Sequence, residues 1–445
     1  MKIALIEPYI SNENYKAYAS KSEPTHLIGM YNILDSLNHE VLIIDAFSNQ
    51  LSTTELSDNL NKYNPDIIGF TVYGYKPILS YIIETIESLN DHKIIVVGGP
   101  GATYSTEYII NELHPDFLVV GNGENSLPKL LSMISCVNKK NKKKTVIIES
   151  SEIVLDNVGW KRPYDFDFYN FEASPRIQRG CVGNCIFCVG AYQNKFSYLS
   201  NERFIKQLEY LVFEKGIKSI SPLGPDFTTV PSKANDLVST LLKFSIPFET
   251  FKPGVRLDTL YKAISTQPNI WQDLGDKYVV SFESSIESFS YNRLERFNKN
   301  ISQIHFNNLF KEVSYILENC NASIILGRIA LDPTITVEEF IVDCEGFIKL
   351  LSEFKQNITI GGMIMNSFVL LQGTPSTKTA HYAKPWSSDD YFIDKRMKML
   401  NSTLLNNHDF KDWCNKAEKQ TNFSWRNEII IEILKVAHEF AKSIN

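Results

Sequence analysis

The sequence predicts an α/β chain: an N-terminal doubly wound parallel sheet, then a second strand–helix succession of the partial (β/α)6 barrel kind, then a helical C-terminal region. Three observations lead there. Short Val/Ile-rich runs alternate with amphipathic helical patterns over residues 1–135, as parallel βαβ units require. The alternation resumes at Ser174 and continues to about Gln372, after which residues 376–445 read as helices. The runs are continuously apolar, which suits strands buried on both faces.

In the first region, Ile3–Ile6, Val41–Ile44, Asp66–Val72, Lys93–Val97 and Phe117–Val120 read as strands. Helical patterns cover Leu27–Leu37 and Ile78–Leu89, and another helix begins near Ser126. The fourth strand ends in Gly98-Gly99 and the fifth in Gly121-Asn-Gly123-Glu124. Sheets of this kind bind ligands at the carboxyl ends of their strands, although glycines there also serve plain tight turns. Residues 136–172 are read as a connection. They include the polar, basic run 137–145, which lacks interleaved aromatics and reads as a solvated loop.

The second region, 173–375, begins with a strand ending at Gln178. Strands at Lys218–Pro222, Ile246–Phe251, Tyr278–Phe282, Ser323–Leu326 and Ile358–Ser367 follow, with Asn201–Phe213 helical. Barrel chemistry gathers at the C-terminal ends of such strands. There the chain places Asp226, Arg256-Leu-Asp258, Glu287-Ser288, Arg328 and Gly373-Thr-Pro375. In the last region Trp386, Phe410, Trp413, Phe423 and Trp425 read as core rather than as a substrate pocket.

Seven cysteines occur, and three of them, Cys181, Cys185 and Cys188, fall within one short stretch after Arg179-Gly180. Gly180, Gly183 and Asn184 let that loop curl so that its thiols converge. A structural zinc site wants a fourth ligand, and no nearby His or Cys offers one. Three thiolates on a four-iron cluster would instead leave one iron open.

Cys-x-x-x-Cys-x-Phe-Cys in this setting resembles the cluster loop of radical SAM enzymes. The Gly-Gly and Gly-x-Gly-Glu strand ends resemble the cobalamin-binding domain that precedes many of their cores. The chain is therefore similar to cobalamin-binding-domain radical SAM enzymes, in particular the class B methyltransferases. The resemblance implies a 4Fe-4S cluster on Cys181, Cys185 and Cys188, with S-adenosylmethionine on its open iron. It implies SAM contacts from Phe187, Arg256, Glu287, Ser288 and Arg328, where Arg256 or Arg328 would pair with the SAM carboxylate. It further implies cobalamin lined by Thr71, Gly98, Gly99, Gly121, Gly123 and Glu124. The Glu287-Ser288 register rests on Leu294 and Lys299 downstream, and Glu283-Ser284 competes with it. A structural ion pair or strand-end cap is the other reading of each charged residue. The Asp-x-His-x-x-Gly motif that would ligate cobalt is absent, so the domain either binds cobalamin without a His ligand or has kept only the fold.

The implied activity is methyl transfer to an unactivated carbon of a small metabolite or peptide, served by a flavodoxin- or ferredoxin-like electron donor. Alternatives are radical chemistry without methyl transfer, such as ring rearrangement, cyclisation or epimerisation, and a non-catalytic cobalamin- or metal-binding protein. The net charge of −6 argues against a nucleic-acid partner. Hydrophobic content of 43% and charged content of 22% are those of a soluble globular protein. The N-terminus turns polar too soon for a signal peptide, and no apolar run reaches the ~18 residues of a membrane span. The cysteine usage suits a reducing cytoplasm.

Overall fold

The computed structural model describes residues 1–9, 23–73, 76–136, 145–149, 154–163, 172–181, 183–188, 197–361 and 392–444. These divide into two compact units. The first lies within Met1–Arg176 and Ser197–Gln207, the second within Ile177–Phe196, Leu208–Leu370 and Pro375–Asn445.

In the first unit, β1 (Lys2–Glu7), β2 (Glu40–Asp45), β3 (Ile67–Thr71), β4 (Ile94–Gly98), β5 (Phe117–Val120) and β6 (Val146–Glu149) form one parallel sheet of order β2-β1-β3-β4-β5-β6. Side chains alternate between its faces because the strand period is two. Ala4, Ile6, Phe70 and Val97 pack with Leu56, Leu60, Ile78 and Ile82 on one face. Ile3, Leu5, Val96 and Phe117 pack with Leu27, Leu34, Leu127 and Leu130 on the other. The helices that cover these faces, Thr53–Tyr63 and Lys76–Glu87 against Thr25–Ser36 and Gly123–Cys136, make the unit doubly wound.

Local signals start these helices. Ser52 and Glu55 form a reciprocal capping box, and Pro100 occupies the first turn of Pro100–Tyr104. The sixth strand goes beyond the expected five: Val146–Glu149 pairs with β5 from Phe117↔Val146 to Val120↔Glu149. Its Val-Ile-Ile run is short and isolated by the basic segment, so periodicity alone assigned it to the connection. Ser197–Tyr198 is a further short strand, β8 in chain order.

In the second unit, β7 (Gln178–Arg179) precedes five parallel strands: β9 (Ser219–Ile220), β10 (Thr250–Phe251), β11 (Val279–Glu287), β12 (Ala322–Arg328) and β13 (Ile358–Ile360). Their order is β13-β12-β11-β10-β9, and each is separated from the next by helix. The Ile177 amide donates to the Leu223 carbonyl at 3.0 Å, which brings the start of β7 beside the end of β9. Strand β11 runs past the expected Phe282 to Glu287. Residues 362–391, including the Gly373-Thr-Pro375 segment, the end of the expected last strand and Trp386, lie outside the described residues, as do 137–144.

Three helices, Lys395–Asn406, His408–Lys419 and Phe423–Ile444, make the C-terminal region. Buried Asn427 ties the last of them to β13 by donating to the Ile358 carbonyl at 2.6 Å and accepting from Thr359 Oγ1 at 2.8 Å. The expectation that the aromatics here form core holds for Phe410, which is 4% exposed, but Trp425 is 66% exposed. Ile430, Ile433, Leu434 and Ala437 supply the buried face of that helix instead. Among the described residues no helix is long and apolar enough to cross a membrane.

Candidate functional site

The second unit gathers its chemistry on the cysteine loop. Gly180 has φ +80°, a left-handed turn that glycine adopts without a Cβ clash, and Gln178 Nε2 holds its carbonyl at 2.9 Å. The Gly183 amide donates to Cys181 Sγ at 3.3 Å. A Cβ at Gly183 would lie 3.4 Å from Cys181 Sγ, 3.8 Å from Cys185 Sγ and 3.5 Å from Arg256 Nη1. The missing side chain therefore leaves a hollow faced by two thiols. The Ile186 amide donates to the Phe297 carbonyl at 3.0 Å, and Asn298 Nδ2 to the Asn184 carbonyl at 2.8 Å, which dock the loop on the turn after Tyr291–Arg296. Phe187 meets Phe297 edge to face, with ring centroids 5.7 Å apart.

Among the described residues no three His, Cys, Asp or Glu side chains gather as a single-ion site. A four-iron cluster takes one thiolate per iron, whereas zinc gathers four ligands on one ion. The donor set, three partly exposed thiols and a glycine hollow, fits the cluster.

Beside the loop stands the end of β11. The register shifts between Ser285 and Glu287, and Glu287 takes φ +67°. Such backbone in a non-glycine residue costs on the order of 1–3 kcal/mol and gathers at functional sites. Lys299 Nζ holds the bend by donating to Glu287 Oε1 at 2.9 Å, to the Ser285 carbonyl at 3.0 Å and to Ser285 Oγ at 2.9 Å. Glu287 is buried, whereas Glu283, the competitor four residues earlier, is exposed along the strand.

Arg256 Nε and Nη2 each donate to the Asp258 carboxylate at 3.1 Å, and Nη1 donates to the Lys299 carbonyl at 2.9 Å. The fork expected to reach a SAM carboxylate is thus engaged within the protein. Burial pushes the Cys185 thiol up, and Lys299 and Arg256 oppose that shift. Asp226 is fully buried and accepts from the hydroxyls of Thr228, Thr229 and Thr259 and from the Arg256 amide. It acts as the strand-end anchor.

Ser288, also fully buried, donates to Asp343 Oδ1 at 2.7 Å. Asp343 accepts in turn from Arg293 Nη1 at 2.5 Å, and Arg293 Nε donates to Asp332 Oδ2 at 2.7 Å. Arg328 lies across the ladder from Glu287, its guanidinium 5.1 Å from the Phe347 ring centroid, and burial lowers its pKa. Sequence reasoning missed Arg293 and Asp343: each sits mid-helix among ordinary charged neighbours, and their pairing spans 50 residues. A small cleft is lined by Arg256, Asp258, Lys299, His305 and Glu312. His305 Nδ1 is 2.6 Å from Glu312 Oε1.

In the first unit the residues expected around cobalamin fall at strand ends. Thr71 closes β3, where its Oγ1 is 3.0 Å from His26 Nε2, itself 2.8 Å from Glu7 Oε2. Gly98 ends β4, and among the described residues only Val119 lies near its missing Cβ, at 3.7 Å. Gly99 has φ +96° and its Cβ would sit 2.9 Å from the Val72 carbonyl, so the turn itself demands glycine. Gly121 has φ +84°, and its amide donates to Thr103 Oγ1 at 3.0 Å. Gly123 opens the helix to Cys136, where a Cβ would run into Met30 Cε at 2.6 Å, and Glu124 beside it is buried. Among the described residues the bare backbone at Gly98 fits the approach of a bulky group, Gly99 is demanded by its own turn, and Gly123 faces only the flexible end of Met30.

Residues 21–131 match the family model of the B12 binding domain. Over 261 residues the chain is 28% identical to a protein of Pyrococcus horikoshii named as an uncharacterized methyltransferase, covering 53% of this chain and 56% of that one. It is 21% identical over 240 residues to an anaerobic magnesium-protoporphyrin IX monomethyl ester cyclase of Synechocystis, covering 49% of this chain and 48% of that one. The matches thus span about half the length of these relatives. The solved cobalamin-dependent S-adenosylmethionine radical enzyme OxsB, with aqua-cobalamin and S-adenosylmethionine bound, superposes with a TM-score of 0.72 at 16% identity, covering 98% of this chain and 72% of that one. The radical S-adenosylmethionine methyltransferase TsrM from Kitasatospora setae, solved with cobalamin and a 4Fe-4S cluster, superposes with a TM-score of 0.65 at 12% identity, covering 98% and 99%. At such identities the likeness is one of fold. The chain therefore carries a B12-binding domain and has, along nearly its whole length, the fold of the cobalamin-dependent radical SAM enzymes.

Proposed function

We propose that this protein is a cobalamin-dependent radical SAM enzyme that transfers a methyl group to an unactivated carbon of a small metabolite or peptide. The observation that carries the reading is the Cys181–Cys188 loop, where the Cys181 and Cys185 thiols face the hollow at Gly183, in a chain with a B12-binding domain. When bound, a 4Fe-4S cluster with S-adenosylmethionine supplies a carbon-centred radical, and cobalamin supplies a transferable methyl group.

The protein's own residues hold and shield. Cys181, Cys185 and Cys188 would ligate three irons and leave the fourth to S-adenosylmethionine. Phe187, braced edge to face by Phe297, would stand by the adenine. Glu287, held at a strained backbone position by Lys299, and Ser288, held by Asp343, would position the ribose and amino groups. Thr71, Gly98, Gly99, Gly121, Gly123 and Glu124 would line cobalamin, with no cobalt-ligating motif required. An electron donor of the flavodoxin or ferredoxin kind would reduce the cluster.

A second reading, radical chemistry without methyl transfer, is favoured by the similarity to a protein named as a cyclase. The test is anaerobic purification with iron, sulfide and hydroxocobalamin, then metal analysis and incubation with S-adenosylmethionine and reductant. The methyl-transfer reading expects about four irons and one cobalt per chain, with both 5′-deoxyadenosine and S-adenosylhomocysteine formed. Iron without cobalt, and 5′-deoxyadenosine alone, would favour the second reading. Zinc in place of iron would sink both.

A further inference from the structure

We propose that Arg256 and Lys299 are fixed cations, positioned by Asp258 and Glu287, that set the reduction potential of the cluster held by the cysteine loop. The proposal rests on the reading of that loop as a cluster site.

Both side chains look available in the sequence and are engaged in the structure. The three N–H donors of an ammonium are all used by Lys299, on Glu287 Oε1, the Ser285 carbonyl and Ser285 Oγ. Arg256 has its Nε–Nη2 edge on Asp258 and Nη1 on the Lys299 carbonyl. That last bond ties Arg256 to the main chain of Lys299. The four side chains are only 7 to 13% exposed. Arg256 Nη1 nevertheless reaches the Gly183 hollow, the point faced by Cys181 Sγ and Cys185 Sγ. Lys299 directly follows Phe297 and Asn298, which hold the cysteine loop through the Ile186 amide at 3.0 Å and the Asn184 carbonyl at 2.8 Å.

A group pinned in this way is poorly placed to seize an arriving carboxylate and well placed to hold a charge at a fixed distance. Cluster potentials depend on local charge, hydrogen bonding and solvent exposure, and a charge out of water acts more strongly than one in it. A cation beside the cluster favours the more negative, reduced state and so raises the potential. The carboxylate behind it works in the opposite sense. Arg256 and Lys299 are thus positioning residues for electron entry, and Asp258 moderates them.

The experiment compares wild type with Arg256→Gln, Arg256→Lys, Lys299→Gln and Asp258→Asn, each reconstituted anaerobically with iron and sulfide. Iron content is measured first. Cluster midpoint potential is then read by EPR-monitored redox titration without S-adenosylmethionine, and S-adenosylmethionine affinity by calorimetry. The proposal expects Arg256→Gln and Lys299→Gln to shift the midpoint to more negative values. Arg256→Lys should stay close to wild type and Asp258→Asn should move to more positive values; S-adenosylmethionine affinity should hold in the Arg256 and Asp258 variants, whereas Lys299→Gln, which also releases Glu287, is read by its midpoint alone. Midpoints that do not move, with affinity falling in Arg256→Gln, would make Arg256 a substrate clamp and overturn the proposal. If Arg256→Gln fails to hold iron, opposite shifts in Lys299→Gln and Asp258→Asn still support it, and their absence overturns it. A wild-type protein that takes up no iron would remove the cluster reading itself, and the proposal with it.

Discussion

The two units bury their side chains in different ways. The first fills both faces of a six-stranded sheet with aliphatic chains, sets Glu7, Asp45 and Thr71 at the strand ends, and buries one ion pair, Arg162 with Glu23, outside those two clusters. The second carries charge into its interior, where Arg293, Asp332, Asp343 and Ser288 link β11 to the helix Val337–Glu353. An apolar core can be repacked with modest loss, because any shape-compatible side chain fills it. A buried charge network cannot, because each member leaves an unsatisfied partner. The second unit therefore holds its strained strand end, with Glu287 at φ +67°, by specific partners rather than by bulk burial.

That contrast can be broken most severely at the cysteine loop. On the proposed reading of the loop, Cys185→Ser should reduce iron content and S-adenosylmethionine cleavage to background while far-UV circular dichroism stays unchanged. Arg293→Leu comes next. Removing one partner of a buried pair costs about 3–5 kcal/mol, and hydrogen exchange followed by mass spectrometry should show lost protection in β11 and β12 but not in β1–β5. Leu60→Ala in the first unit should cost ~2–5 kcal/mol and show the reverse pattern. If Arg293→Leu loosens both units equally, the contrast fails.

Thiol reactivity sharpens the same point. Burial pushes the Cys320 and Cys344 thiols up to about 12, so both stay protonated at pH 8 and should resist alkylation until the unit unfolds. The partly exposed Cys181, Cys185 and Cys188 of cluster-free protein should react first, as peptide mapping would reveal. The smallest effect is a control: the capping boxes Ser52/Glu55 and Thr336/Glu339 are built alike in the two units. Ser52→Ala and Thr336→Ala should each cost about 1 kcal/mol, measured by denaturant titration, whichever unit carries the cap.

Legibility in the sequence follows the range of the interaction. Strands β1 to β5 were legible because continuous apolar runs between helical patterns are local signals, and Val146–Glu149 was missed because the basic run before it separates its Val-Ile-Ile from that alternation. The short strands β9 and β10 were found from their turn residues, while the extension of β11 to Glu287 was not, since polar Glu283-Ser-Ser285 interrupts its apolar run. Trp425 was misjudged because helical spacing of aromatics does not say which face of Phe423–Ile444 meets the core; Ile430, Ile433 and Ala437 decide that.

By itself the sequence determined the α/β order of the elements, the helix starts and the clustering of Cys181, Cys185 and Cys188, all set by residues within a few positions of one another. Only the tertiary structure decided what the charged residues do. Arg256 closes on Asp258 and on the carbonyl of Lys299, 43 residues away. Ser288 finds Asp343 at a separation of 55, and Glu287 rather than Glu283 turns inward to Lys299. A guanidinium or carboxylate in a sequence carries its charge but not its partner. The partner is chosen by which strand ends the fold brings together and by the cost of leaving a buried charge alone.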